Sequence, residues 1–323
     1  MKWGHSPFPS IRGQACWLAL SLFAAAMVGA AEPDKLKVAL TFDDLPLNGT
    51  LPPGVSRVDI TRDTLAVLKK HRIPPSYGFI NARKLEGDPD GAAALALWAK
   101  SGNPLGNHTY SHPSLTRTAA EEFQLDILRN EPVLELLMPE GSALRRRHDW
   151  HWFRYPFLNE GDTLEKRRTI RAFLASHGYT IAQTTLDHED YLWNSAHARC
   201  VAKQDQAALQ WLRESYLSEA QKWFRVEREL SRQVFGRDIH HVALLHLGSF
   251  SATILPDLFA LLRREGYEFV TLEEAQSDPV YQKDPDIADP RGGTATELFM
   301  IAGKHSWPPV EDKPRARLTS ICN

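Results

Sequence analysis

Lys37-Val38-Ala39-Leu40-Thr41-Phe42-Asp43-Asp44-Leu45-Pro46 sets a strand and a pair of acids side by side within ten residues. Residues 37–42 are mostly apolar, as a buried strand requires. Two carboxylates follow at once, and burying adjacent acids is costly unless they are paired or hold a metal. Neighbours in a regular strand point to opposite faces. Both acids therefore reach one cleft only if the strand ends there, and Pro46 supports such an end. Polar residues at a strand end are where barrel-like folds assemble active sites from distant parts of the chain.

Working outward, the same arrangement recurs. Residues 76–80 read as a second strand, and 105–107 as a third that runs into His108. Residues 152–155 form a fourth, stopped by Pro156. The fifth, 180–185, leads to Asp187, the sixth, 242–245, ends at His246, and the seventh is 268–271. Helical stretches lie between them at 59–71, 92–101, 119–137, 164–177, 204–235 and 255–265. Gly178 and Gly266 close two of these at the usual C-terminal position. In the longest, Trp211, Leu212, Tyr216, Trp223 and Leu230 read mostly as core. Strands alternating with helices imply parallel pairing through right-handed crossovers. The expected architecture is an α/β fold, an irregular seven-stranded (β/α) barrel in a single domain. A doubly wound open sheet competes, but no Gly-rich phosphate turn follows the first strand.

Composition bounds the rest. A chain of 323 residues, 43% hydrophobic, can bury a large core, and its formal net charge of −2 argues against a nucleic-acid binder. Arg145-Arg146-Arg147-His148, the dense basic run, reads as solvated loop. Lys2 and Arg12 precede an apolar run at 17–28 and small residues at 28–31, the pattern of a signal peptide over 1–31. The apolar run is shorter than the ~20 residues that span a bilayer, so contact with a membrane is expected only through this segment if it stays uncleaved. The remainder divides into a domain at 32–275 and a tail at 276–323, rich in Asp, Pro and Gly and read as irregular. Export to the periplasm or beyond follows, where disulfides are allowed. Cys200 and Cys322 can then form one bridge, stapling the tail to the body, although none is required.

Two histidines at i and i+4, His108 and His112, fall on one side of a helical turn and can share a metal. They need a carboxylate to complete a three-ligand site, and the Asp43-Asp44 pair supplies one. Thr41-Phe42-Asp43-Asp44 and His108-Thr109-Tyr110-Ser111-His112 resemble the first two motifs of the polysaccharide deacetylase family, also called the NodB-homology domain or carbohydrate esterase family 4. Arg154-Tyr155-Pro156, Asp187-His188-Glu189-Asp190-Tyr191 and Leu244-Leu245-His246 resemble the later motifs, in family order.

The resemblance implies a divalent metal, zinc being the expected ion, on Asp44, His108 and His112. It implies Asp43 as general base, oriented by Arg154, and His246 as general acid, oriented by either Asp187 or Asp190. The backbone N–H of Phe157 would meet the oxyanion. Aromatics beside the motifs, Trp150, Trp152, Tyr191 and Trp193, are candidates for stacking on a sugar. Leu45 stands where the family usually has Gly, and Phe157-Leu158 where it has Tyr-Gly. Neither change removes a ligand, a base or an acid, but both alter the cleft wall. The expected activity is removal of acetyl groups from an acetylated glycan, N-acetylglucosamine polysaccharide first. O-acetyl esters of xylan type, a small amide outside carbohydrate, and a non-catalytic carbohydrate-binding protein on the same scaffold are the alternatives.

Overall fold

The computed structural model describes Leu36–Asn323, so the segment read as a signal peptide lies outside the described residues. β1 (Leu36–Leu45) occupies the middle of the sheet because it is apolar on both faces. Val38, Ala39, Leu40 and Phe42 are all buried, as parallel sheets covered by helices demand. β2 (Tyr77–Ile80), β3 (Leu105–Asn107), β4 (Trp152–Phe153), β5 (Thr180–Ile181), β6 (His241–His246) and β7 (Tyr267–Val270) complete a seven-stranded sheet. Its order is β5-β4-β3-β2-β1-β6, with β7 paired to the N-terminal part of β1. Every pairing is parallel.

The sheet curls into a half-barrel of the deformed (β/α) barrel type, in one domain. Residues 180–185 were expected as one strand, yet β5 stops at Ile181 because the ladder changes partner. Ala182 still donates to Phe153, but Thr185 and Leu186 donate to the Val242 carbonyl, and Leu244 donates back to Leu186. A bridge between Leu186 and Ala243 thus joins the segment after β5 to β6.

The long helix is Gln206–Phe235, within two residues of the expected 204–235, and Asp205 caps it by accepting from Ala208 N–H at 2.9 Å. A separate helix before it, Tyr191–Ala202, was not expected. The tail is less irregular than its composition suggests, carrying helices Ala295–Ala302 and Arg315–Ser320. Thr294 and Glu297 form a capping box ahead of the first, a T-x-x-E signal that the Pro- and Gly-rich context obscured.

Cys200 and Cys322 are bonded, with Cα atoms 5.1 Å apart across 122 residues of chain. The Arg199 guanidinium donates to the carbonyls of Leu318 and Ile321 beside the bridge. A cross-link over so long a loop limits the unfolded chain. Replacing both cysteines by serine is expected to cost roughly 2–4 kcal/mol, read as a lower urea midpoint.

Candidate active site

Asp43 and Asp44 reach one cleft by a route the sequence did not suggest. β1 does not end before them but runs on to Leu45, and Asp43 still pairs with His246 in the ladder. The register against β2 slips between Phe42 and Leu45, and Asp44 has φ of 66°. This bulge breaks the alternation, so both carboxylates line the same cleft. Both Asp44 oxygens have cationic or amide neighbours: Asn48 Nδ2 donates to Oδ2 at 2.8 Å, and Lys84 Nζ lies 3.3 Å from Oδ1. Burial works to raise the Asp44 carboxyl, but Lys84, His112 and the other imidazoles hold it well below the usual carboxylate range.

His108 and His112 converge without the expected helical turn. The chain leaves β3 as a loop in which Thr109 and His112 both have positive φ, 63° and 59°. Asp126 holds that loop, accepting from the Ser111 N–H at 2.8 Å and the Ser111 hydroxyl at 3.0 Å. The two imidazole centroids lie 4.8 Å apart. The Nδ1 of His108 lies 2.8 Å from the Arg154 carbonyl. A carbonyl only accepts, so Nδ1 carries the proton and Nε2 keeps its lone pair for a ligand. Burial pushes both histidines below their ordinary value, which keeps them neutral.

Among the described residues, the group of acids and histidines close enough to hold a metal is Asp44, His108 and His112, with donor atoms within 4.8 Å of one another. One anionic oxygen and two imidazoles kept neutral by burial suit a divalent ion with open positions.

Arg154 is 1% exposed and spans several partners. Its Nε donates to the Ala182 carbonyl at 2.6 Å, one terminal nitrogen to Thr41 Oγ1 at 3.0 Å, and the other to Asp43 at 3.4 Å. Burial raises the Asp43 carboxyl to about 6, and Arg154 and His246 limit that rise. The guanidinium thus opposes burial without overcoming it.

Across the same cleft, His246 Nδ1 lies 2.7 Å from Asp190 Oδ1, and its backbone N–H donates to Oδ2 at 2.8 Å. Of the two aspartates left open by the sequence, Asp190 is the one that holds His246. Asp187 also lines the cleft, but its carboxylate accepts from the Glu189 N–H at 2.7 Å. Burial works against the imidazolium of His246, yet the charge and hydrogen bond of Asp190 lift it to about 9.

The aromatic candidates divide. Phe157 is 55% exposed, and its ring meets His112 edge-on at 4.5 Å. Tyr191 is also exposed and meets His246 edge-on at 5.3 Å. Trp193 is a correction: it is fully buried, with Nε1 donating to Ser215 Oγ, and cannot stack on a sugar. Tyr191 opens a helix, and residues two apart on a helix face away from each other, so only the first can face the cleft. Trp150 is buried as well, and Trp152, half-buried on β4, packs against Tyr77.

The cleft encloses about 650 Å³, and the sequence reading missed one wall of it. Trp223, read as core, lines it, as do Gly292, Glu297 and Lys313 of the tail. Lys313 lies 4.2 Å from the Trp223 ring and pairs with Glu189 of the fourth motif, as does Arg315. No periodicity marks these residues, since contacts from distant parts of the chain place them.

The parallel (β/α) scaffold thus carries a candidate Asp-His-His metal site at its strand ends. The polysaccharide deacetylase family model matches residues 30–180 of this chain. A peptidoglycan-N-acetylglucosamine deacetylase of Bacillus cereus is 29% identical over 126 residues, covering 36% of this chain and 41% of that protein. A chitin deacetylase of Arthroderma benhamiae is 25% identical over 154 residues, covering 48% of this chain and 35% of the other. The chain therefore matches well under half the length of these relatives. Among solved structures, a family pseudoenzyme from Bacillus anthracis is similar at a TM-score of 0.49 and 15% identity, covering 76% of this chain and 66% of that one.

Proposed function

We propose that the protein is an exported, metal-dependent hydrolase that removes acetyl groups from N-acetylglucosamine residues of a polysaccharide. The observation that carries this reading is the convergence of the Asp44-His108-His112 donor set with Asp43 and with the His246–Asp190 pair in one cleft. Asp44, His108 and His112 would hold a divalent ion, zinc by expectation, which would supply Lewis acidity to acidify water and polarise a carbonyl.

The chain's own groups do the rest. Asp43 takes a proton from the attacking water as its oxygen adds to the acetyl carbon. The Phe157 N–H faces the oxyanion that forms. Nδ1 of His246 is engaged by Asp190, which leaves Nε2–H to protonate the departing nitrogen. The C–N bond then breaks, giving acetate and a free amine. An amine leaves poorly as an anion, and for that reason this site needs an acid that stays protonated at neutral pH. Exposed Phe157 and Tyr191, beside the metal histidine and the acid histidine, would flank the sugar. Export is supported by the N-terminal apolar run and by the Cys200–Cys322 bridge, which suits an oxidising compartment.

Acetate release across a panel of chitin oligomers, peptidoglycan fragments and acetylated xylan tests this directly. The expected result is release from the N-acetyl substrates, abolished by a chelator and restored by zinc. His246→Ala should cost more on the amides than on an activated ester, since an alcohol leaves with less help. Release from xylan alone would favour the ester reading, and binding without release from any substrate would favour a carbohydrate-binding protein.

A further inference from the structure

Phe157 and Leu158 are consecutive non-glycine residues in the left-handed region, at φ of 59° and 51°. A Cβ there crowds the following carbonyl oxygen, so the surroundings must hold the pair in place. Local turn bonds contribute: Leu158 N–H donates to Tyr155, and Asn159 N–H to Pro156. The rest of the grip comes from the tail, more than 130 residues along the chain and beyond the part that matches the family.

Asn159 is 2% exposed and links three segments. Its Oδ1 accepts from the Thr116 N–H and hydroxyl at 3.2 and 2.9 Å, and its Nδ2 donates to the Pro290 carbonyl at 2.8 Å. Thr116 Oγ1 also lies 3.2 Å from the Pro290 carbonyl. Gly293 N–H donates to the Leu158 carbonyl at 3.3 Å. Gly292, at φ of 77°, lies so close that a Cβ there would sit 2.5 Å from the Phe157 oxygen and 2.8 Å from the Leu158 oxygen. Those are backbone atoms with no rotamer to move away. Only a glycine permits the approach.

We propose that the tail segment around Gly292 and Gly293 is a positioning element of the catalytic cleft, clasping the strained Phe157-Leu158 turn so that the Phe157 N–H points at the developing oxyanion. The clasp rests on the deacetylase reading for its catalytic consequence. Gly292 acts through Phe157 and touches no reacting atom. Removal of one oxyanion donor costs about 10²–10³ in kcat, so misplacing one is expected to cost roughly 10–100-fold.

The test compares Gly292→Ala with Gly178→Ala in the full chain. Gly178 also has positive φ, at 76°, but an added Cβ would meet nothing within 4 Å, so it carries the same backbone penalty without the clash. In Gly292→Ala, kcat should fall roughly 10–100-fold, with KM for the glycan and zinc stoichiometry unchanged. Amide hydrogen exchange at residues 157–159 should quicken in that variant alone. Gly178→Ala should lose stability but keep kcat and the exchange pattern. Wild-type kcat in folded Gly292→Ala, unchanged exchange at 157–159, or equal losses in both variants overturns the clasp. If the wild-type chain releases no acetate, the deacetylase reading fails, while the exchange comparison still decides whether the tail holds the turn. Should Gly292→Ala not fold, Thr116→Val removes one hydroxyl bond to Asn159 and Pro290 with little change of volume. A fall in kcat with faster exchange at 157–159 supports the clasp there, and wild-type values of both overturn it.

Discussion

Asp43→Asn is expected, on the proposed mechanism, to lower kcat for acetate release by about 10²–10⁴ while the protein loaded with zinc keeps its metal. The substitution is nearly isosteric at a buried position and removes only the basic oxygen, leaving Asp44, His108 and His112 as they were. Asp44→Asn should fail in another way. It removes the one anionic ligand and leaves Lys84, 3.3 Å away, facing a neutral amide. Zinc content should therefore fall together with activity, and added zinc should restore part of both. Zinc stoichiometry measured beside kcat for the two variants separates the roles. Loss of metal from Asp43→Asn with retention by Asp44→Asn would reverse the assignment. Unchanged acetate release in both would sink the enzyme reading.

Much of the framework was legible in the sequence because it rests on local pattern. Each strand of the sheet lies where a short apolar run meets a polar residue, and the expected bounds 105–107 and 164–177 fall within a residue of the strand and helix ends found. What was not legible depends on partners far along the chain. The choice between Asp187 and Asp190 required the fold, because both sit in one motif and only geometry shows which carboxylate meets His246. The expected strand end before Asp43 proved to be a bulge, since an αL residue in a strand leaves no mark in the sequence when it is not glycine. The His108–His112 spacing suggested a helical turn, whereas Asp126 and two positive-φ residues make a loop that achieves the same convergence. Trp193 and Trp223 exchanged their expected roles for a similar reason. Indole side chains read alike in sequence, and which one faces the cleft is decided by where each helix starts and by the tail that packs over it.

Asp190→Asn is expected to move the alkaline limb of activity by more than two pH units. On the proposed mechanism, Asp43 at about 6 and His246 at about 9 leave the base ionised and the acid protonated between those values, and a bell-shaped profile is expected. The introduced amide keeps an oxygen to accept the His246 backbone N–H but loses the charge that holds the imidazolium against burial. The His246 pKa should then fall towards the ordinary value of about 6.5, with burial set against the remaining charges of Asp44 and Asp43. At pH 8 the protonated fraction drops roughly 30-fold at 6.5, and kcat/KM on an N-acetyl substrate should follow it. The sign for stability is the same. A histidine whose pKa is raised on folding contributes stability that is fully present below about 6.5 and lost as pH rises through about 9, and Asp190→Asn should remove that dependence. A pH–rate profile of the variant, alongside urea midpoints at pH 6 and 10, checks both. An alkaline limb that stays near 9 would show that another group donates the proton. An activated ester should keep most of its rate in Asp190→Asn at pH 8, because its leaving group departs without one.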